Sequence, residues 1–135
     1  MAAPPPHFAP LRTWLFAPGN HPSKVEKVFN FDADAVILDI EDAVAIEQKE
    51  ATRIAVVDAL KIRPERTSKG YIRVNSIDTA FCHDDLVAVV GPWLDGIVLP
   101  KVESAGQLQT IDWLIAALER NCGMVPGSID ILPIV

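Results

Sequence analysis

Short apolar runs recur along this chain at regular intervals, each followed by polar residues and then by a segment with helical spacing. Residues 13–16, 35–38, 71–74, 96–99 and 128–135 read as strands. The intervening spacing predicts helices over residues 22–29, about 46–60, 84–90 and about 105–118. In the first, Val25, Val28 and Phe29 fall at i, i+3, i+4, and Pro22 is acceptable in the first turn. In the second, Ala51, Ile54, Ala55 and Ala59 share the expected apolar face, with Lys49, Glu50 and Arg53 elsewhere. A strict βαβαβαβαβ order predicts an α/β fold of parallel strands with helices outside.

Two closures satisfy that order: a doubly wound sheet, or the N-terminal portion of a (β/α)8 TIM barrel. The first wants a phosphate loop after its first strand, and Pro18-Gly19-Asn20 is neither GxGxxG nor Walker A. The second wants polar groups at the strand ends. Asn20, then Asp39, Glu41 and Asp42, then Arg73 and Asn75, then Lys101 and Glu103 stand there. A complete barrel needs about 250 residues. The expectation is therefore a half-barrel over residues 11–135, truncated after its fifth strand.

The second strand carries the densest signal. In Ala35-Val36-Ile37-Leu38-Asp39-Ile40-Glu41-Asp42 an apolar run leads straight into three carboxylates. The run reads as a strand buried on both faces. Carboxylates that close repel one another unless a metal ion, an arginine or open solvent relieves them. Acids favoured at a helix N-terminus account for one of the three more readily than for all.

Composition narrows the partners. The net charge is −6, so no general attraction to nucleic acid or anionic membrane is expected, and an anionic substrate must meet locally placed Arg or Lys. No apolar run approaches the roughly 18 residues that span a bilayer. Residues 1–10, with four prolines and three alanines, read as a disordered tail without the features of a signal peptide, so the cytoplasm is the simplest location. Cys82 and Cys122 lack metal or redox spacing, as do His7, His21 and His83. Trp14, Trp93 and Trp113 read as core or helix-packing residues.

Four motifs in order then resemble one family. Arg12-Thr13-Trp14-Leu15-Phe16-Ala17-Pro18-Gly19 fits R-[ST]-x-L-F-x-P-G, and residues 34–44 fit D-x-[VI]-x-L-D-L-E-D-[AS]-V. Ile72-Arg73-Val74-Asn75 fits [VI]-R-[VI]-N, and residues 96–103 fit G-[IV]-x-L-P-K-x-E. Lys49 to Arg53 fits a K-x-x-A-R motif loosely, reading K-E-A-T-R. Together these resemble the citrate lyase β-subunit-like proteins of the HpcH/HpaI aldolase superfamily.

The resemblance implies a TIM barrel that cleaves or forms a carbon–carbon bond in a 3-hydroxyacyl-CoA thioester such as citryl-, citramalyl- or malyl-CoA, with Mg²⁺ as cofactor. It implies that both protein ligands of the Mg²⁺ lie beyond Val135, and so no metal ligand within this chain. It also implies a small-molecule acyl-CoA or keto acid as partner, in a homo-oligomer. The candidate catalytic residues are Arg73, Glu41 and Asp42. Substrate contacts are expected from Arg73, Lys101, Gly19 and Asn20, whose backbone N–H groups at a helix start could meet an anion. Asp39 and Glu103 are expected to support them, with Lys101–Glu103 pairing as the plainer alternative. Where the HpaI branch has a histidine base, this chain has Asp42, which is expected instead to hold a metal-bound water or to orient Arg73. An aldolase of free 2-keto acids and a non-catalytic barrel subunit are the competing readings.

Overall fold

The computed structural model describes residues 10–135, so the tail expected over residues 1–10 lies outside the described residues apart from Pro10. Strands β1 (Trp14–Pro18), β2 (Ala35–Asp39), β3 (Lys69–Arg73), β4 (Gly96–Leu99) and β5 (Asp130–Pro133) alternate with helices α1 (Pro22–Val28), α2 (Lys49–Lys61), α3 (Cys82–Val89) and α4 (Ala105–Asn121). Every neighbouring pair of strands is parallel, in the spatial order β1-β2-β3-β4-β5. That order decides between the two closures. A doubly wound sheet reverses its direction at a switch point. Here each crossover steps the same way, so the helices share one face, as in the wall of a (β/α)8 barrel.

The alternation of side chains along each strand makes two apolar layers. Val36, Leu38, Ile72, Ile97 and Leu99 point outward and pack with Val28 of α1, Val56 and Leu60 of α2, Leu86 of α3 and Ile111 and Ile115 of α4. Ala35, Ile37, Tyr71 and Val98 point the other way, into the barrel side, with Leu11 and Trp14 against them. Strand β2 lies between the layers and is buried throughout. The inner layer is more open towards its margins, where Phe16 is 52% exposed. The indole of Trp14 meets Tyr71 edge-on at 4.9 Å. Tyr71 lies across Gly96, where a Cβ would stand 2.3 Å from the ring, and its hydroxyl donates to Asp130 at 2.7 Å. Among the described residues no helix is long and apolar enough to cross a membrane.

Four sequence expectations are corrected. Strand β3 begins at Lys69, because its amide donates to the Asp34 carbonyl and extends the ladder backwards. Strand β5 is only Asp130–Pro133, although the Ile134 amide still donates to Leu99. Helix α2 buries Thr52, Val56, Val57 and Leu60, not the face of Ala51, Ile54 and Ala55; Ile54 is 62% exposed. The stripe of Thr52, Val56 and Leu60 removes more apolar area from water than a stripe of alanines can, and that decides the rotation of the helix. Trp113 is 70% exposed on α4, whereas Trp14 and Trp93 pack against the core and donate their ring N–H to the carbonyls of Leu11 and Val89.

Helix α4 is capped by its own sequence. The Ser104 hydroxyl accepts from the Gln107 amide, and the Gln107 side chain accepts from the Glu103 amide, a variant of the capping box. At its other end Glu119, 1% exposed, accepts from the amides of Gly127, Ser128 and Ile129. This carboxylate shapes the loop that delivers β5 to the sheet.

Candidate active site

Parallel register brings the two strand-end charges together. Asp39 ends β2, Arg73 ends β3, and the two are ladder partners on the inner face. Arg73 Nε donates to Asp39 Oδ1 at 3.0 Å and Nη2 to Oδ2 at 2.6 Å, a bidentate fork. Asp39 Oδ1 also accepts the Glu41 amide at 2.9 Å. The same guanidinium stands 3.6 Å from Glu41 Oε1 and 5.2 Å from the centre of the Phe16 ring. Its Nη1 has no hydrogen-bond partner among the described residues.

Lys101, just after β4, completes the cluster. Its ammonium donates to Glu41 Oε2 at 3.0 Å and lies 3.7 Å from Asp42 Oδ1. Glu41, with a side chain only 6% exposed, is thus held between two cations. The result is an alternating row, Asp39–Arg73–Glu41–Lys101–Asp42. Arg73 is held protonated above its ordinary range, first by the Asp39 hydrogen bond and against the opposing effect of burial. Lys101 is shifted the same way, first by its hydrogen bond to Glu41. Lys101 adopts φ 55°, the left-handed region that a side-chain-bearing residue uncommonly occupies. Strained backbone of this kind persists where surrounding contacts over-determine it, and it clusters at functional sites.

A second polar layer lies behind this row. The Lys49 ammonium donates to the carbonyls of Ile40 and Glu41 at 3.2 and 3.1 Å and to Asn75 Oδ1 at 2.8 Å. Asn75 Nδ2 donates to Ile40 O and to Asp85 Oδ2, and the Asn75 amide donates to the same carboxylate oxygen. Arg53 Nε completes the layer on Asp85 Oδ1 at 2.8 Å. Asp85 is fully buried and Lys49 is 7% exposed. Sequence reasoning placed Lys49 and Arg53 off the packed face of α2, and that is overturned. The signal was their four-residue spacing, which stacks both cations on one side of a helix.

Of the other expected residues, Gly19, Asn20 and Glu103 lie apart from this row. Gly19 offers no free amide, because its N–H donates to the Asp39 carbonyl at 2.8 Å. Its lack of a side chain serves a close approach, since a Cβ there would lie 2.7 Å from Val56 and 2.9 Å from the Asp39 carbonyl oxygen. Asn20 Nδ2 donates to Gln48, while its Oδ1 is buried without a partner among the described residues. Glu103 forms no pair with Lys101, which turns to Glu41 and Asp42, and its carboxylate has no partner among the described residues. Asp42 is exposed and does not touch Arg73, so any orientation of Arg73 comes from Asp39 and Glu41. His21 and His83 are exposed and outside the cluster; Cys82 is buried and Cys122 exposed, both free.

The residues present do not fit a magnesium ion by themselves. Mg²⁺ needs a near-octahedral set of oxygens. Both Glu41 oxygens face cations, and no group of three metal-ligating side chains converges among the described residues.

Comparison with known proteins supplies the family. Residues 12–135 match the model of the HpcH/HpaI aldolase/citrate lyase family. The citrate lyase subunit beta of Leuconostoc mesenteroides subsp. cremoris is 37% identical over 117 residues, covering 87% of this chain and 39% of the relative. The L-malyl-CoA/beta-methylmalyl-CoA lyase of Cereibacter sphaeroides is 35% identical over 133 residues, covering 96% and 42%. The structure of the citrate lyase beta subunit from M. tuberculosis complexed with oxaloacetate and magnesium superposes with a TM-score of 0.61 at 41% identity, over 73% of this chain and 42% of that one. The magnesium/glyoxylate complex of Haloferax volcanii malate synthase, at 16% identity, shares the fold with a TM-score of 0.81 over 91% of this chain and 42% of that one. The chain thus spans about two fifths of the relatives it matches, and it belongs to the HpcH/HpaI aldolase/citrate lyase family.

Proposed function

We propose that this chain supplies the first five strands and part of the active-site mouth of a carbon–carbon lyase acting on a 3-hydroxyacyl-CoA thioester such as citryl-, citramalyl- or malyl-CoA. The observation that carries the reading is Arg73, aimed by a bidentate carboxylate at the mouth, with one guanidinium nitrogen left over for a ligand. Two relatives at 35% identity or more are named as lyases, one of them for malyl-CoA, and a solved relative is described with oxaloacetate and magnesium.

Cleavage removes the proton of the 3-hydroxyl and breaks the bond between carbons 2 and 3. The electron pair stays on carbon 2 as a thioester enolate, which a proton then quenches, and the other fragment leaves as a keto acid. A fixed cation favours such developing charge, because its reorganisation has been met in folding. In this reading Arg73 holds the keto-acid oxygen and carboxylate with its free edge. Glu41 and Lys101 set the charge around it, and Asp42, exposed and flanked by Lys101, is free to reach a bound water or substrate. Asp39 keeps the fork aimed, while Gly19 draws the β1 loop against β2. Mg²⁺ is proposed as cofactor, with protein ligands outside this chain. The working picture is a cytoplasmic homo-oligomer in which further polypeptide completes the barrel.

The test uses the intact polypeptide that contains this chain. It is incubated with citryl-, citramalyl- and malyl-CoA, with Mg²⁺ or with a chelator, and the released keto acid is followed. Thioester cleavage that the chelator abolishes is expected. Turnover of free 2-hydroxy or 2-keto acids alone would point to an aldolase, and no turnover at all to a binding subunit; either result overturns the proposal.

A further inference from the structure

Lys49 is a buried cation that touches no carboxylate. Its ammonium, on a residue 7% exposed, is satisfied by two backbone carbonyls and one side-chain amide, with the Phe81 ring 5.3 Å away. An ammonium removed from water is costly unless each of its protons finds an acceptor. All three do, and two of those acceptors belong to consecutive residues, Ile40 and Glu41. The second of these is the residue whose carboxylate lies between Arg73 and Lys101. The Glu41 carbonyl also closes a turn by accepting the Val44 amide at 3.2 Å. The other groups around the ammonium are anchored in turn: Asn75 by Asp85, and Asp85 by Arg53.

We propose that Lys49 is a positioning residue for Glu41. It ties the Ile40 and Glu41 carbonyls to Asn75, and so fixes where the Glu41 carboxylate stands between Arg73 and Lys101. This deepens the lyase reading and rests on it for its kinetic consequence. The apparent excess of acid after β2 is thereby balanced from two sides. Arg73 and Lys101 meet the carboxylates directly, and Lys49 meets the backbone beneath them.

The experiment is a double-mutant cycle in the intact polypeptide with the thioester it turns over. Lys49→Met keeps the stem and removes the ammonium; Glu41→Gln keeps the shape and removes the charge. Lys49→Met is expected to lower kcat about 10- to 100-fold, by analogy with partners that orient metal ligands. In the Glu41→Gln background the same change is expected to cost less than about threefold, because residues acting through one another are not additive. A loss within about twofold in the parent, or an equal loss in both backgrounds, overturns the proposal. If Lys49→Met does not fold, Lys49→Arg takes its place in the cycle, since it keeps the charge and disturbs only its aim. Amide exchange decides independently of turnover. Protection of the Val44 amide is expected to fall at least about tenfold in the Lys49 variant while the β4 amides keep theirs. Unchanged protection at Val44 overturns the positioning role. An inactive parent enzyme would instead overturn the lyase reading and leave the exchange result to judge Lys49.

Discussion

Replacing Arg73 by lysine separates the two duties of that side chain. The guanidinium spends Nε and Nη2 on Asp39, at 3.0 and 2.6 Å, and stands 3.6 Å from Glu41. A lysine ammonium can keep one Asp39 oxygen at most while still leaning towards the mouth. The fold then loses one charge-assisted hydrogen bond in a place where Asp39 is nearly buried, roughly 1.5–3 kcal/mol. The site loses more. A lysine that stays on Asp39 has no planar edge left for the keto-acid oxygen and carboxylate, and losing such a donor costs roughly 2.7–4 kcal/mol, or about 10²–10³ in rate. Steady-state kinetics on the intact polypeptide, beside thermal unfolding of the same samples, reads both. We expect Arg73→Lys to remain folded at assay temperature, to melt lower, and to lose kcat/KM by about two to three powers of ten. A variant that melts lower yet keeps kcat/KM within about threefold would show that Arg73 serves only the sheet end, and the assignment of the site would fall with it.

Other expectations follow from single contacts. Glu119→Gln should destabilise the fold by roughly 1.5–3 kcal/mol for each amide of the α4–β5 loop that loses its carboxylate partner, read as a lower denaturant midpoint. Tyr71 is the one tyrosine of the chain, and burial, followed by its hydrogen bond to Asp130, pushes its phenol well above the usual range. The folded state therefore holds this proton longer than the unfolded one. Its stabilisation is complete below the unfolded pKa of about 10 and declines as pH rises above it. Absorbance near 295 nm should show no tyrosinate until unfolding; a signal rising at pH about 10 in the folded chain would contradict this. Mg²⁺ titrated calorimetrically into this chain alone should show no tight stoichiometric binding, because Arg73 and Lys101 already occupy Glu41. Tight binding would put the metal among Asp39, Glu41 and Asp42 instead.

How much of this was legible in the sequence depended on whether a signal was local or a matter of register. Strand order could be read because apolar runs and helical spacing alternate without exception, and the barrel direction because polar groups gather after the strands. The need for a cation beside the three carboxylates was visible, but the Asp39–Arg73 fork itself was not, since pairing needs the two strand ends to fall level, a fact about register rather than composition. Lys101 was read as a substrate contact or as the partner of nearby Glu103. Its left-handed backbone turns it to Glu41, sixty positions away, and nothing local announces a positive φ at a lysine. The face of α2 was misread for a related reason. Alanines at 51, 55 and 59 make as regular a stripe as Thr52, Val56 and Leu60, and only the volume to be filled against the sheet separates them. That same rotation buries Lys49 and half-buries Arg53, so the error about packing concealed the polar layer behind the site. Three carboxylates after one strand do call for cations. The structure answers with two that the eye expects at a barrel mouth and one that reaches the turn from beneath, through its backbone.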